Sequence, residues 1–248
     1  MQYPFMILYN TLTIGEHHTN HCEDFLITAE IGKEKMLCAV MDGCSMGTDS
    51  YFAATLTGKL LRKIANEYSY KEFISKQPNN LKQILEGIVR QLFLELRELK
   101  NTIQLKREEV LNTLLIAVID SSNAAGEFLC IGDGLICLNG EFFEFEQDNK
   151  PDYLGYHLQE DFDTWYTNQQ QRVSANQIFD FSLTTDGIFT FSRFDNQTYQ
   201  QAGNVAELLL IDKTGYQSPN MLDRKRIDIE KEWGLKPMDD LAIIRGIL

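Results

Sequence analysis

Aspartates mark the ends of three apolar runs that are typical of buried β-strands. Asp42 closes the run 36–41, Asp186 closes the run 179–185, and the pair Asp239 and Asp240 opens the run 241–244. A carboxylate at the end of a strand is held by a stiff backbone, and several at one rim repel each other unless a cation lies among them. The sequence therefore predicts a metal site at one end of a β-sheet structure.

Glycine directly follows two of these aspartates, as Gly43 and Gly187. Glycine has no side chain to block a backbone carbonyl or amide that approaches an ion or a phosphate group. The first Asp-Gly pair opens a loop of small residues over 44–47 and leads into a helix, whose expected N-cap is Thr48.

Hydrophobic periodicity predicts alternating groups of strands and helices. Strands are expected at 25–31, 35–41, 114–119, 127–131, 135–138, 141–145, 179–185 and 241–247, and helices at 52–64, 80–103, 205–211 and 219–233. Asn139-Gly140 is a strong hairpin signal, whereas the polar segment 150–178 has no clear period and is expected to be a surface excursion. The order indicates an α+β fold of mostly antiparallel sheets covered by helices, in one domain.

The net charge and the cysteines limit which binding partners and which cellular compartment are expected. The formal net charge of −13 disfavours nucleic acid and anionic membranes as partners, because binding their phosphate groups needs a basic face. The five cysteines form no Cys-x-x-Cys pair and are expected to be reduced. No stretch reaches the roughly 18 apolar residues of a membrane helix, and the N-terminus lacks a signal-peptide pattern, so the cytoplasm is the expected location.

Six short motifs occur in an order that one enzyme family shares. They are Glu23-Asp24, Val40-Met41-Asp42-Gly43, Asn112-Thr113-Leu114-Leu115, Ile131-Gly132-Asp133-Gly134, Thr184-Thr185-Asp186-Gly187 and Asp239-Asp240-Leu241-Ala242. Each motif alone is weak, because Asp-Gly after a strand is most often a turn. The ordered series, with two helices between the second and third motifs, resembles the metal-dependent Ser/Thr protein phosphatases of type 2C over nearly the whole chain.

The resemblance implies both a fold and a set of metal ligands. The fold is a four-layer α-β-β-α sandwich, with two antiparallel sheets flanked by helix pairs, and residues 1–248 would form one catalytic domain. The implied ligands of two Mg²⁺ or Mn²⁺ ions are Glu23, Asp42, the Gly43 carbonyl, Asp186 and Asp239. Asp42 would bind both ions. Asp186 and Asp239 would complete the ligands of one ion, and Glu23 and the Gly43 carbonyl would bind the other, partly through water. Asp133 would help Asp186 to hold a third, weaker ion.

The implied activity is hydrolysis of phosphoserine and phosphothreonine in proteins, by attack of a hydroxide that bridges the two ions. Asp42, Asp186 and Asp239 would be catalytic through the ions that they hold, and a cognate Ser/Thr kinase would supply the phosphorylated substrate. Two other functions stay open. One is a regulatory or binding module that keeps the fold without activity, and the other is a metal phosphatase for a small phosphorylated metabolite.

Three positions depart from the family's pattern. Thr19 stands where members commonly carry an arginine that grips the substrate phosphate, and this favours the regulatory module. Cys44 occupies a place that is histidine in many eukaryotic members. Asp240 stands where asparagine is usual, and it is expected either to support the ligands or to begin a solvated strand end.

Other polar residues near the motifs have a structural and a functional interpretation. His17, His18 and His21 form either a solvated polar loop or a cluster in which one histidine meets the substrate phosphate or protonates the leaving oxygen. Asp24 is expected to orient or cap its neighbours rather than to bind an ion. The Asn-Thr pair at 112–113 is expected to cap a strand.

Overall fold

Two five-stranded sheets face each other in the computed structural model, which describes residues 6–47, 49–74, 80–147, 151–195 and 197–248, with the backbone alone for 71–74. The expected N-cap Thr48 lies outside the described residues. The first sheet contains, in spatial order, β1 (Ile7–Thr13), β12 (Leu241–Ile247), β9 (Asp180–Thr184), β6 (Gly134–Leu138) and β7 (Glu141–Phe145). The second contains β2 (Asp24–Gly32), β3 (Lys35–Asp42), β4 (Leu114–Asp120), β5 (Ala125–Ile131) and β8 (Arg172–Ala175).

All neighbouring strands within both sheets are antiparallel. A separate two-stranded ribbon joins β10 (Phe191–Arg193) to β11 (Leu235–Pro237). The turn between β6 and β7 is Asn139-Gly140, and both residues have positive φ, at 52° and 89°. That conformation is the one a two-residue hairpin needs, so the hairpin prediction is confirmed.

Helices cover the outer face of each sheet. The long helices α1 (Ser50–Ile74) and α2 (Leu81–Thr102) pack on the second sheet, and the shorter α4 (Val205–Leu210) and α5 (Met221–Asp228) pack on the first. Apolar side chains of both sheets fill the space between them, including Val40, Leu115, Phe128, Ile136, Phe181 and Ile244. The expected α+β fold, a four-layer α-β-β-α sandwich, is confirmed.

The ends of α2 and α4 follow the sequence signals closely, whereas α1 continues to Ile74, well beyond the expected helix at 52–64. The Asn80 side chain accepts a hydrogen bond from the Gln83 amide and completes a capping box at the start of α2. The Asn204 side chain caps α4 in the same way. After α5 the chain makes a π-helical turn over Ile229–Trp233 and stops at Gly234, which has a left-handed φ of 65°.

The expectation of a surface excursion over residues 150–178 is wrong. This segment contains a 3₁₀ turn at Leu154–Tyr156, the helix α3 (Phe162–Thr167) and strand β8. Its apolar side chains Leu154, Leu158, Phe162, Trp165 and Tyr166 are buried in the core under α2. The helix is too short to show a helical period, and the buried aromatic residues are scattered among polar ones.

Strand β1 was not expected from the sequence, although it completes the first sheet by pairing with β12 along its whole length. Its side chains alternate only in part between exposed and buried positions. Among the described residues, no helix combines the length and the apolar content that crossing a membrane requires.

Candidate metal centre

Strand ends bring the acidic motifs of both sheets to one rim of the sandwich. Asp24 begins β2 and Asp42 ends β3, and the two residues are direct cross-strand partners. In the facing sheet β12 pairs with β9, so Asp239 before β12 and Asp186 after β9 lie at a common end. The Thr185 hydroxyl donates a 2.6 Å hydrogen bond to Asp24 Oδ2, which ties the two sheets together at this rim.

Asp24 and Asp42 are the most strongly perturbed acids of the rim. Burial raises the pKa of Asp42 well above its usual range, and the nearby carboxylates of Asp24 and Asp186 raise it further. Burial also raises the pKa of Asp24, although hydrogen bonds with Thr185 and Asp42 oppose the rise. Two desolvated carboxyl groups in contact create a strong demand for a proton or a cation.

Asp186 belongs to the same electrostatic group. It opens a 3₁₀ turn, Asp186–Phe189, directly after β9. Burial, followed by the carboxylates of Asp133 and Asp239, raises its pKa to about 6. Burial likewise raises the pKa of Asp133, which lies in the tight turn between β5 and β6. The structure therefore brings Asp42, Asp133, Asp186 and Asp239 into one acidic site.

Both glycines of the Asp-Gly pairs stand at close backbone contacts. A Cβ atom on Gly43 would overlap the carbonyl oxygen of Ser50, at the start of α1. A Cβ atom on Gly187 would overlap the carbonyl oxygen of Asp240. These contacts lock the Asp42 end of β3 against α1 and the Asp186 turn against the start of β12, so larger residues would displace the acidic side chains.

Asp240 organises the loop that precedes β2. Its side chain is almost fully buried, and its Oδ1 accepts a 2.7 Å hydrogen bond from the Gly15 amide. Its Oδ2 accepts a hydrogen bond from the Glu23 amide and lies 2.9 Å from Nδ1 of His18. Because Asp240 is buried, it does not begin a solvated strand end. Its contacts show that it supports the backbone of Glu23.

The three histidines have different surroundings. Burial alone would lower the pKa of His18, but the contact with Asp240 and the nearby carboxylates of Glu23 and Asp239 raise it. His21 stacks on the exposed Tyr51 ring, with ring centroids 4.3 Å apart. The His17 side chain is exposed. Only His18 is thus tied to the acidic rim.

The pair Asn112 and Thr113 fixes the end of β3. The Thr113 amide donates to the Asp42 carbonyl over 2.8 Å, and the Thr113 hydroxyl accepts from the Asp42 amide over 3.1 Å. The Asn112 side chain accepts a hydrogen bond from the Thr57 hydroxyl of α1 and donates one to the Thr113 carbonyl. The pair therefore clamps the Asp42 backbone instead of only capping a strand.

Tyr153 reaches the site although the sequence analysis did not single it out. Its hydroxyl lies beside the Cys44 sulfur and near the carboxyl groups of Asp42 and Asp133, and burial is the main cause of its raised pKa. The residue belongs to the segment that was expected to lie on the surface. In the sequence, the only local signal was an aromatic residue within a polar stretch.

The chemistry of the rim fits a divalent cation. The buried oxygens Glu23 Oε2 and Asp24 Oδ1 have no hydrogen-bond donor. The charged neighbours with the largest effect on the pKa values of Asp42 and Asp186 are other carboxylates. Such a group of hard oxygen atoms, short of positive charge, is the donor set that Mg²⁺ and Mn²⁺ prefer.

The carboxylates do not form a closed cage. In the part of the chain that the structure describes, no three His, Cys, Asp or Glu side chains are grouped tightly enough to hold an ion by themselves. Mg²⁺ keeps several of its waters and is often bound through one or two carboxylates. Ions bound at this rim would therefore keep some of their water ligands.

Comparison with known proteins places this geometry in a family. Three solved structures have similar folds. A variant of a bacterial serine phosphatase matches with a TM-score of 0.64 and 12% identity, over 99% of each chain. The phosphatase domain of SpoIIE from Bacillus subtilis, with a regulatory fragment, matches with a TM-score of 0.57 and 17% identity, over 98% of this chain and 63% of that one. RsbX in complex with magnesium matches with a TM-score of 0.54 and 14% identity, over 98% of this chain and 94% of the other.

At these identities the structural matches establish the fold alone. No curated protein sequence is detectably similar to the chain. The sequence profile of protein phosphatase 2C, however, matches residues 15–212, which include every acidic motif except the last. The chain therefore belongs to the protein phosphatase 2C family, a family of hydrolases that act on phosphoric esters.

Proposed function

We propose that the chain is a metal-dependent phosphatase that removes phosphate from phosphoserine and phosphothreonine in proteins. The observation that carries the proposal is the group of desolvated carboxyl groups around Asp42, whose pKa values are raised first by burial and then by neighbouring carboxylates. A protein that buried these groups without a cation would lose stability for no gain in function. The family is metal-dependent, and the similar RsbX structure contains magnesium.

The proposed ligands divide between the two sheets. At strand ends of the second sheet lie Asp42, the Gly43 carbonyl and Glu23, and next to strand ends of the first lie Asp186 and Asp239. Asp133 would join Asp186 at a third, weaker ion. When bound, the ions would lower the pKa of a coordinated water and neutralise charge on the phosphoryl group.

The rest of the chain holds these groups in place. Asn112 and Thr113 fix the backbone of Asp42, and Asp240 fixes the backbone of Glu23. Thr185 joins the two sheets through Asp24, which makes Asp24 a positioning residue in this proposal. A rigid frame of this kind allows carboxylates at the ends of four different strands to keep a constant separation.

We also propose the setting in which the enzyme works. Residues 1–248 would form one catalytic domain, and a Ser/Thr kinase would phosphorylate its protein substrate. The five cysteines are free, and three of them are buried, which is typical of a reducing compartment such as the cytoplasm. The rival function, a regulatory module without activity, is favoured by the exposed Thr19 in place of an arginine.

Turnover of two substrates tests the proposal. The purified chain is given an aryl phosphate or a phosphoserine peptide, with Mn²⁺, with Mg²⁺ and with EDTA. We expect hydrolysis of both with either ion and none with EDTA. The variant Asp42→Asn should be inactive, whereas Asp228→Asn, which changes an exposed carboxylate on α5, should match the wild type.

Three results would contradict parts of this proposal. Activity that survives chelation would exclude metal dependence. A folded, Mn²⁺-binding protein without turnover would support the regulatory module. Hydrolysis of the aryl phosphate without hydrolysis of any phosphopeptide would favour a small phosphorylated metabolite as the substrate.

A further inference from the structure

Tyr153 is held rigidly at the edge of the acidic site. It immediately precedes the 3₁₀ turn Leu154–Tyr156, and only 8% of its surface is exposed. Its ring packs edge-on against the Tyr156 ring, with centroids 5.4 Å apart. The backbone of this turn lies close to residues 110–111, the segment that leads into β4. A Cβ atom on Gly155 would overlap the Val110 carbonyl oxygen.

The same segment fixes the loop on the other side of the Tyr153 hydroxyl. The Cys44 amide donates a 3.1 Å hydrogen bond to the Leu111 carbonyl, next to Val110. The hydroxyl of Tyr153 therefore lies beside the Cys44 sulfur in a position that is determined from both sides. The carboxyl groups of Asp42 and Asp133 are its acidic neighbours, so it borders the space next to these two proposed metal ligands.

This space lacks an arginine from the first motif. Thr19 stands at that position and is exposed. The charged neighbours that most strongly affect Asp42 and Asp186 are acidic. A substrate phosphoryl group would therefore need a neutral, fixed hydrogen-bond donor in addition to any metal ion. The ordinary pKa of a tyrosine hydroxyl is about 10, so this group is a protonated, neutral donor at neutral pH.

We propose that the Tyr153 hydroxyl donates a hydrogen bond to a non-bridging oxygen of the substrate phosphoryl group. The inference rests on the proposed phosphatase function and adds a substrate-binding residue to it. The hydroxyl keeps its proton throughout: it gains one hydrogen bond, and no covalent bond forms or breaks at it. Its contribution is a preorganised dipole at the position where phosphoryl charge is held.

The variant Tyr153→Phe tests this inference, and Tyr156→Phe is its matched control. Both substitutions remove one phenol oxygen and keep the ring, so the packing of the two rings on each other is retained. Titration calorimetry of the full chain measures the affinity for Mn²⁺, and then, with Mn²⁺ present, the affinity for inorganic phosphate. Steady-state kinetics with an aryl phosphate measure kcat and KM.

We expect Tyr153→Phe to weaken phosphate binding by about 10-fold, which is the usual loss for one hydrogen bond to a charged group. The ratio kcat/KM should fall by about 10- to 100-fold, while the Mn²⁺ affinity and the melting temperature stay unchanged. Tyr156→Phe should match the wild type in all four measurements.

Equal phosphate affinity in Tyr153→Phe and the wild type would overturn the inference. An equal loss in Tyr156→Phe would also overturn it, because the effect would then come from ring packing. A parallel loss of Mn²⁺ affinity in Tyr153→Phe would assign the residue to the metal site instead of the substrate. Failure of the wild type to hydrolyse any phosphate ester, with phosphate binding that still depends on Tyr153, would contradict the proposed function and leave this inference standing.

Discussion

Asp24 and Asp42 are direct partners across strands β2 and β3, and burial raises the pKa of both carboxyl groups. Two like-charged groups at directly opposite positions destabilise a sheet when both are ionised. The pair is retained at the rim where Glu23, Asp186 and Asp239 also converge. A bound divalent cation would attract both carboxylates. The thermal stability of the protein should therefore depend on metal binding at this pair.

The first prediction concerns the substitution Asp42→Asn. Removing one charge from the pair should raise the melting temperature of the metal-free protein by about 2–4 °C, because it relieves repulsion. Turnover with Mn²⁺ should fall by about 100-fold or more, because a metal ligand is lost. Thermal unfolding in EDTA and steady-state kinetics check the two effects. A lower melting temperature in EDTA together with normal turnover would remove Asp42 from the site.

The second prediction is a pH dependence of stability in EDTA. The pKa of Asp186 is raised to about 6, so the folded state binds a proton more tightly than the unfolded state does. Stability should therefore be greatest below the ordinary aspartate pKa and should fall as the pH rises through about 6. Melting temperatures measured in EDTA should fall between about pH 4 and about pH 6 and should level off above about pH 7.

Saturating Mn²⁺ is the control for this pH series. Metal ions bind the deprotonated carboxylates, so their stabilising effect grows as the pH rises. The fall in melting temperature should therefore shrink or reverse with Mn²⁺. The same fall with and without Mn²⁺ would show that these carboxyl groups bind no ion.

The positions of the acids could be predicted from the sequence because they depend on local patterns. Asp42 and Asp186 follow apolar runs, and strand ends are visible in a sequence. The contacts between distant residues could not be predicted in this way. Thr185 binds Asp24 across 161 residues, and Asp240 binds the Gly15 amide across 225. No local period encodes such pairings, which arise only when two sheets pack face to face.

Tyr153 shows a second limit of sequence analysis. It stands in a segment of mixed polar and aromatic residues where the helix α3 spans only six residues. A helix of this length completes fewer than two turns, so no apolar face repeats. Burial of this segment depends on the aromatic cluster of Phe93, Phe162 and Trp165, whose members come from two separate helices.

The third prediction concerns Asp133, whose carboxyl group raises the pKa of Asp186. The variant Asp133→Asn should keep high-affinity Mn²⁺ binding in calorimetry but lose most of its turnover, by about 10-fold or more, because a weak third ion acts chiefly in catalysis. The substitution should also lower the pKa of Asp186, so the fall in stability in EDTA should be smaller and should end at a lower pH. Near-normal rates at saturating Mn²⁺ would exclude a third ion at this residue.

The fourth prediction concerns His157, which joins two carboxylates of the segment that carries Tyr153. Its Nε2 lies 2.7 Å from Asp152 Oδ1 and its Nδ1 lies 2.7 Å from Glu160 Oε1. Burial alone would lower its pKa, but the two hydrogen bonds raise it. The contribution to stability is therefore complete below the ordinary histidine pKa and is lost as the pH rises through the raised value.

The variant His157→Gln should melt about 2–4 °C lower than the wild type at about pH 6, and the difference should shrink towards about pH 8.5. His17→Gln, which changes an exposed histidine, is the control and should show little difference at either pH. A difference between His157→Gln and the wild type that is constant with pH would mean that the His157 charge contributes nothing.

The last prediction concerns the buried ion pair of Arg245 and Asp180. Asp180 accepts from Nε over 3.0 Å and from Nη2 over 2.6 Å, and the remaining N–H groups donate to the carbonyls of Leu209, Ile211 and Asp212 at the end of α4. All five donors of the fully buried guanidinium are satisfied. The pair therefore joins β9 and β12 to the helical layer.

Asp180→Ala leaves the buried guanidinium without its counter-charge and should lower the free energy of unfolding by about 3–5 kcal/mol in urea titrations. The double variant Asp180→Leu with Arg245→Met removes both charges and should be less destabilised than Asp180→Ala alone. Asp163→Ala, which breaks the exposed ion pair with Arg90, should change the free energy by about 1 kcal/mol or less. If Asp180→Ala and Asp163→Ala have equal effects, the buried pair does not stabilise the attachment of α4 to the sheet.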